Sequence, residues 1–186
     1  MCSLAKEPNQ SLPPLYAVLD VETTGLERRK DRIIQIGVVK VENNVVTPWM
    51  TYCNPCELIT EQMGAQRVHK ISPKLLQGKP TFADVAPKLC SFLENVEYVV
   101  CYNCIFDWDL LMAEFDRLEG HERNKALMRN IKWIDLLRLA IKPFPDLKNH
   151  DLATVLDKFS SNGSKRTKAF FFTMMPCVTP SPLIHR

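Results

Sequence analysis

No stretch of this 186-residue chain approaches the roughly 18 consecutive apolar residues of a membrane span, so no membrane partner is expected. The opening residues, MCSLAKEPNQSLPP, lack the apolar centre of a secretory signal, and no cleaved leader is expected. An even, clustered cysteine framework is also lacking. The seven cysteines are an odd number scattered through strand-like and helix-like text, which favours free thiols in a reducing compartment, cytoplasm or nucleus. A basic body is lacking too. The formal net charge is +3, but residues 160–186 hold Lys165, Arg166, Lys168 and Arg186 with no acid. Without those four cations the rest of the chain stands at about −1, so any polyanion must be met locally rather than by a basic clamp.

What is present suits one domain: 46% hydrophobic and 24% charged residues, with length enough for a substantial core. LYAVLD (15–20) reads as a short buried strand. RIIQIGVVKVE (32–42) and VVTPWMTYC (45–53), joined by the tight ENN link, read as a hairpin. In TFADVAPKLCSFLE (81–94) Thr81 and Asp84 form a capping-box pattern, and Val85, Leu89 and Phe92 keep helical spacing. EYVVCY (97–102) is expected as a strand and FDWDLLMAEFDRLE (106–119) as a helix. IKWID (131–135) reads as a short strand leading to a helical turn, and NHDLATVLDKF (149–159) as a helix. This order predicts an α/β fold, a mixed five-stranded sheet with parallel first, fourth and fifth strands and helices packed on it. Residues 1–14 read as an N-terminal extension, 15–159 as the domain, and 160–186 as a divergent, poorly ordered tail.

Chemistry is concentrated where the first strand ends, in LDVETTGL. Alternate strand residues share a face, so Asp20 and Glu22 aim at one spot. Neighbouring carboxylates repel unless a cation sits between them, and hard oxygen donors at an open edge suit Mg2+ or Mn2+. The bland alternative is a solvated strand end. A second acid-bearing segment, VVCYNCIFDWDLL, runs from a strand into a helix with Asp107 in its first turn. Beside the first strand, its end would meet Asp20 and Glu22 where open α/β sheets place their sites. By itself Asp107 could equally be a helix-start acid favoured by the dipole.

Taken together, these residues resemble the DEDD 3′–5′ exonucleases, a family with a ribonuclease H-like fold that includes polymerase proofreading subunits. LDVETTGL resembles the first exonuclease motif, and YNCIFDWDLL resembles the second, with Tyr102 where histidine is common and Asn103, Phe106 and Asp107 in place. The resemblance covers about residues 15–159. It implies phosphodiester hydrolysis at 3′ ends of single-stranded DNA or RNA with two Mg2+ or Mn2+ ions, in a possible polymerase assembly. It assigns Asp20, Glu22 and Asp107 as catalytic metal ligands. Thr23, Thr24, Leu26, Asn103 and Phe106 fall at its substrate-binding positions.

The same resemblance requires a fourth acid and a general base, as His-x-x-x-x-Asp or Tyr-x-x-x-Asp on a final helix. Tyr102 is the last tyrosine, and the residues five on from His69, His121 and His150 are Lys74, Ala126 and Val155. The third motif and its helix are therefore expected to be absent, with His150 as a helix-start residue. Phe170–Phe172 is then expected to cover part of the exposed sheet, and turnover to be weakened. The rival reading is a non-catalytic nucleic-acid or partner-binding domain. A third, a zinc module, rests on Cys53-x-x-Cys56 and Cys101-x-x-Cys104. His69 and Trp49, Trp108 and Trp133 read as structural, and Lys165, Arg166 and Lys168 as a solvated run.

Overall fold

The structure, a computed structural model, describes residues 15–57, 69–142 and 144–161, the last three as backbone only. The expectations for the 1–14 extension, the Lys165–Lys168 run, Phe170–Phe172 and His185 lie outside the described residues.

Five strands form one sheet: β1 (Leu15–Thr23), β2 (Ile33–Glu42), β3 (Val45–Tyr52), β4 (Tyr98–Cys101) and β5 (Lys132–Asp135). Their spatial order is β3-β2-β1-β4-β5, with β1, β4 and β5 parallel, as the sequence predicts, and β2 antiparallel to both β1 and its hairpin partner β3. The hairpin turns on Asn43 and Asn44, at φ 49° and 68°. Asparagine tolerates this left-handed conformation, and two such residues in succession match the strand twist.

The described helices are α1 (Pro73–Leu76), α2 (Phe82–Phe92), α3 (Cys104–Asp116), α4 (Glu122–Asn130), α5 (Leu136–Ile141) and α6 (Leu152–Ser161). Helix α2 starts with the expected capping box: Thr81 N–H donates to Asp84 Oδ2 (2.8 Å), and Asp84 N–H to Thr81 Oγ1 (3.4 Å). Helix α4 is not foreseen from sequence, because ERNKALMRN carries only Met128 as a fully buried residue. Packing against α2 decides that segment, not an apolar stripe. Helix α6 begins one turn later than expected and continues to Ser161. Asp151, not His150, caps it by accepting from Thr154 N–H (2.7 Å).

Ala17, Leu19 and Val21 of β1 join Ile36, Val38, Val99 and Trp133 in the main core, beneath Phe82, Leu89, Leu111 and Phe115 of α2 and α3. Trp108 and Trp133 meet edge to face within that core (5.2 Å), and Trp49 stacks on Phe92 at its rim (5.9 Å). The opposite face of the sheet carries Tyr16, Val18, Val39, Val41, Val100 and Ile134, with Leu136 and Leu139 of α5 packed on it. Strand alternation puts Asp20 and Glu22 on this second side, just past its apolar patch.

Candidate active site

At the C-terminal end of β1 the alternation inward–outward continues into the acids. Leu19 and Val21 are buried in the core, while Asp20 and Glu22 are only partly covered. Their antiparallel neighbours on β2 are Gly37 and Gln35. Burial pushes the Asp20 carboxyl up to about 6, the behaviour of an acid with too little compensating positive charge nearby.

Asp107 reaches the same place from the first turn of α3. It is 3% exposed, and its Oδ1 accepts from the Val21 N–H at 3.1 Å, at the peptide lying between the two β1 acids. The turn that delivers it is specialised. Asn103 takes the left-handed conformation (φ 64°), and its N–H donates to Asp135 Oδ1 at 3.0 Å. Asp135, at the end of β5 and 6% exposed, also accepts from Leu137 N–H (3.0 Å) to cap α5. One buried carboxylate thus fixes both the start of α3 and the start of α5. Asp135 lies outside the motifs that the sequence singles out. Its visible signal was an acid directly before a helical turn, the usual cap arrangement.

Asp107 thus meets β1 at the peptide between Asp20 and Glu22, but the three side chains do not close a ligand shell. Among the described residues, no group of three or more His, Cys, Asp or Glu side chains could hold a metal ion. In donor chemistry alone, the oxygens of these three carboxylates are the hard type that divalent cations such as Mg2+ and Mn2+ prefer. The cysteines offer no comparable case for zinc. Cys101 and Cys104 are buried in the apolar core, and burial drives the Cys53 thiol up to about 12 and Cys101 well above the ordinary range.

The loop between β1 and β2 carries the remaining first-motif residues. Thr24 is committed internally: its N–H donates to the Arg32 carbonyl (2.9 Å), its Oγ1 donates to Asp31 Oδ1 (3.0 Å), and Arg32 N–H donates to that Oγ1 (3.0 Å). The Thr23 hydroxyl donates to the Gly25 carbonyl (2.6 Å). Asp31 Oδ2 also takes the Glu27 N–H (2.6 Å). A Cβ on Gly25 would stand 2.5 Å from Asp31 Oδ2, so only glycine lets that carboxylate organise the loop. Between these fixed points Leu26 is 52% exposed, whereas Phe106 is 9% exposed and packed in the core. Leu26 is thus the exposed apolar side chain of this loop, while the two threonine side chains are buried and hydrogen-bonded within it.

The described histidines face other tasks. His69, 6% exposed, accepts from Ile71 N–H at Nδ1 (3.0 Å). Burial lowers its pKa, and a hydrogen bond with the Thr23 backbone opposes that. His150 Nε2 lies 2.8 Å from the Phe144 carbonyl, and His121 Nδ1 3.2 Å from Asn124 Nδ2. Tyr102, standing where the second motif usually has histidine, donates its hydroxyl to the His150 carbonyl. Burial, then the nearby Asp151 and Asp135 charges, push its pKa up to about 12, which removes it as a base near neutral pH.

Comparison with known proteins places this geometry. Residues 17–166 match the RNase_T family model, described as Exonuclease. DNA polymerase III subunit epsilon of Buchnera aphidicola subsp. Schizaphis graminum is 34% identical over 139 residues, which cover 71% of this chain and 58% of that protein. The Escherichia coli K12 epsilon subunit is 32% identical over 157 residues, 81% of this chain and 62% of that one. DNA polymerase III PolC-type of Thermotoga petrophila is 30% identical over 144 residues, 77% of this chain and 10% of its own length. The chain therefore spans less than two thirds of each of these relatives. In fold it is similar to E. coli Exonuclease I in complex with a dA16 oligonucleotide, with TM-score 0.58 and 23% identity over 72% of this chain and 31% of that one. It is also similar to Exonuclease X in complex with 5′ overhanging duplex DNA, with TM-score 0.52 and 23% identity over 78% of this chain and 73% of that one.

Proposed function

The chain belongs to the RNase_T exonuclease family, and from that premise we propose that it binds 3′ ends of single-stranded DNA and hydrolyses them. The observation that carries this reading is the Asp107–Val21 hydrogen bond, which brings a carboxylate from α3 to the peptide between Asp20 and Glu22. Asp20, Glu22 and Asp107 would hold Mg2+ or Mn2+ there. When bound, such ions polarise the phosphate and acidify a water. The chain's own residues do the rest. The three carboxylates fix where a phosphate can approach, and Leu26 is the exposed apolar surface on which a terminal base would rest. DNA is favoured over RNA because the relatives named are DNA polymerase subunits and the structures compared hold DNA; a replicative polymerase is the partner this suggests.

The described histidines, His69, His121 and His150, are each hydrogen-bonded away from the acids, so none of them is proposed as the general base. The rival, a purely non-catalytic binding domain, shares these observations and differs only in the rate. Single-turnover cleavage of 3′-labelled single-stranded DNA with Mn2+ separates them. Cleavage that disappears in Asp20→Ala supports the enzyme. Binding with no cleavage above the Asp20→Ala background supports the rival.

A further inference from the structure

Helix α3 does more than carry Asp107. Some two turns on, Glu114 is 1% exposed and takes both Arg32 Nε (2.8 Å) and Nη2 (3.0 Å), together with the Ile33 N–H (3.1 Å). One further turn along, Arg117 faces the loop that carries Leu26. Its Nη2 donates to the carbonyls of Arg29 (2.6 Å) and Lys30 (3.3 Å), and its Nη1 to that of Asp31 (3.4 Å). These carbonyls converge because residues 27–31 make a helical turn: Lys30 and Asp31 N–H groups both donate to the Glu27 carbonyl (2.8 Å each). The end of such a turn is locally negative, and a guanidinium fork is the side chain whose several donors can meet three adjacent oxygens. Glu114 Oε1 stands 3.4 Å from Arg117 Nη1 and holds the guanidinium against the helix.

We infer that Arg117 is a positioning residue for the substrate-holding loop, fixing Leu26 relative to the carboxylate Asp107 on the same helix. The inference rests on the proposed 3′-end binding. Asp31 organises the loop from inside, through Thr24 and the Glu27 N–H. Arg117 anchors the same turn from outside, so Leu26 lies between an internal and an external anchor. The ion pair between Arg28 and Asp109 (2.7 Å) adds a weaker tie, since both side chains are about two-fifths exposed. Arg117 stands ten residues from Asp107, about 15 Å along a helix. It therefore acts on substrate only through the loop, and its removal should leave the acids in place.

The test is a double-mutant cycle on the full chain. Its readouts are anisotropy with a labelled oligodeoxythymidylate bearing a 3′ phosphorothioate, Mn2+ present, and a separate Mn2+ titration without DNA. Arg117→Ala should weaken oligonucleotide binding on the order of tenfold, a change of about 1.4 kcal/mol. Mn2+ affinity should stay unchanged. In a Leu26→Ala background the same substitution should cost less than about twofold, because the loop then has nothing left to present. Arg117→Lys, which keeps the charge without the fork, should lose part of the affinity and serves if Arg117→Ala folds poorly. Arg123→Ala, on exposed α4 surface, is the control. Additive losses, no loss, or a parallel fall in Mn2+ affinity would overturn the positioning role. If the unmodified chain binds no oligonucleotide, the proposed function fails and this inference fails with it.

Discussion

Asp107 accepts a hydrogen bond from the backbone of Val21 across 86 positions of sequence, at 3.1 Å and in a buried setting. The bond serves structure and site at once, and the two services separate by substitution. Asp107→Asn keeps an oxygen for the Val21 N–H but removes the charge, so it should leave the melting temperature nearly unchanged and abolish Mn2+ binding. Asp107→Ala should also strand a buried N–H, costing about 1–3 kcal/mol. Equal Mn2+ binding by the parent chain and Asp107→Asn would exclude Asp107 as a ligand.

Asp20 gives the second prediction. A carboxyl raised to about 6 by burial gains from a cation placed beside it. At pH 7.5, Mn2+ should raise the melting temperature in a concentration-dependent way. At one hundred times Kd the stabilisation is about 2.7 kcal/mol. Asp20→Asn should remove most of that gain. An undiminished shift in the variant would place the metal elsewhere.

Glu114 is where the fold is most exposed to a single substitution. Glu114→Ala would take the carboxylate from Arg32, which keeps the Pro55 carbonyl, and the acceptor from the Ile33 N–H, and breaking a buried pair in this way costs about 3–5 kcal/mol. The paired change Arg32→Met with Glu114→Leu should be less destabilising than Glu114→Ala alone, because the Arg32 charge is then not left without its carboxylate, while Arg117 and the Ile33 N–H lose Glu114 in both. Denaturant unfolding of the three proteins checks the order.

His69 makes part of the stability depend on pH. Burial holds its folded-state pKa below the usual 6.5, and its Nδ1 must stay unprotonated to accept from Ile71 N–H. A depressed histidine value means that the unfolded chain takes up protons first. The stabilisation is therefore present above about 6.5 and is lost as pH falls through the folded value. Lowering the pH from 7.5 to 5.5 should cost the parent chain more stability than His69→Gln, with thermal melts in parallel as the measurement. Identical losses would show that His69 does not titrate on unfolding.

Most of the sheet was legible because its signals are local. Alternation in 15–23, the two asparagines at the hairpin and the Thr81–Asp84 box each act within a few residues. Helix α4 was not legible, since its polar segment holds its shape through packing rather than through a stripe of its own. Glu114 could have been noticed, because it lies seven residues from Asp107 and on the apolar stripe with Leu111 and Leu118. Its partner Arg32 could not, being 82 positions away.

By itself the sequence determined the acids, their shared strand face and the family they resemble, because motif spacing and strand period are properties of a short segment. Only the tertiary structure decided that Asp107 meets β1 at Val21, that Asp135 fixes the turn delivering it, and that Arg117 grips the loop bearing Leu26. Each of those is a hydrogen bond between residues distant in sequence. Such bonds exist only after β1, β4 and β5 have paired in parallel and brought their ends, and the start of α3, to one edge of the sheet.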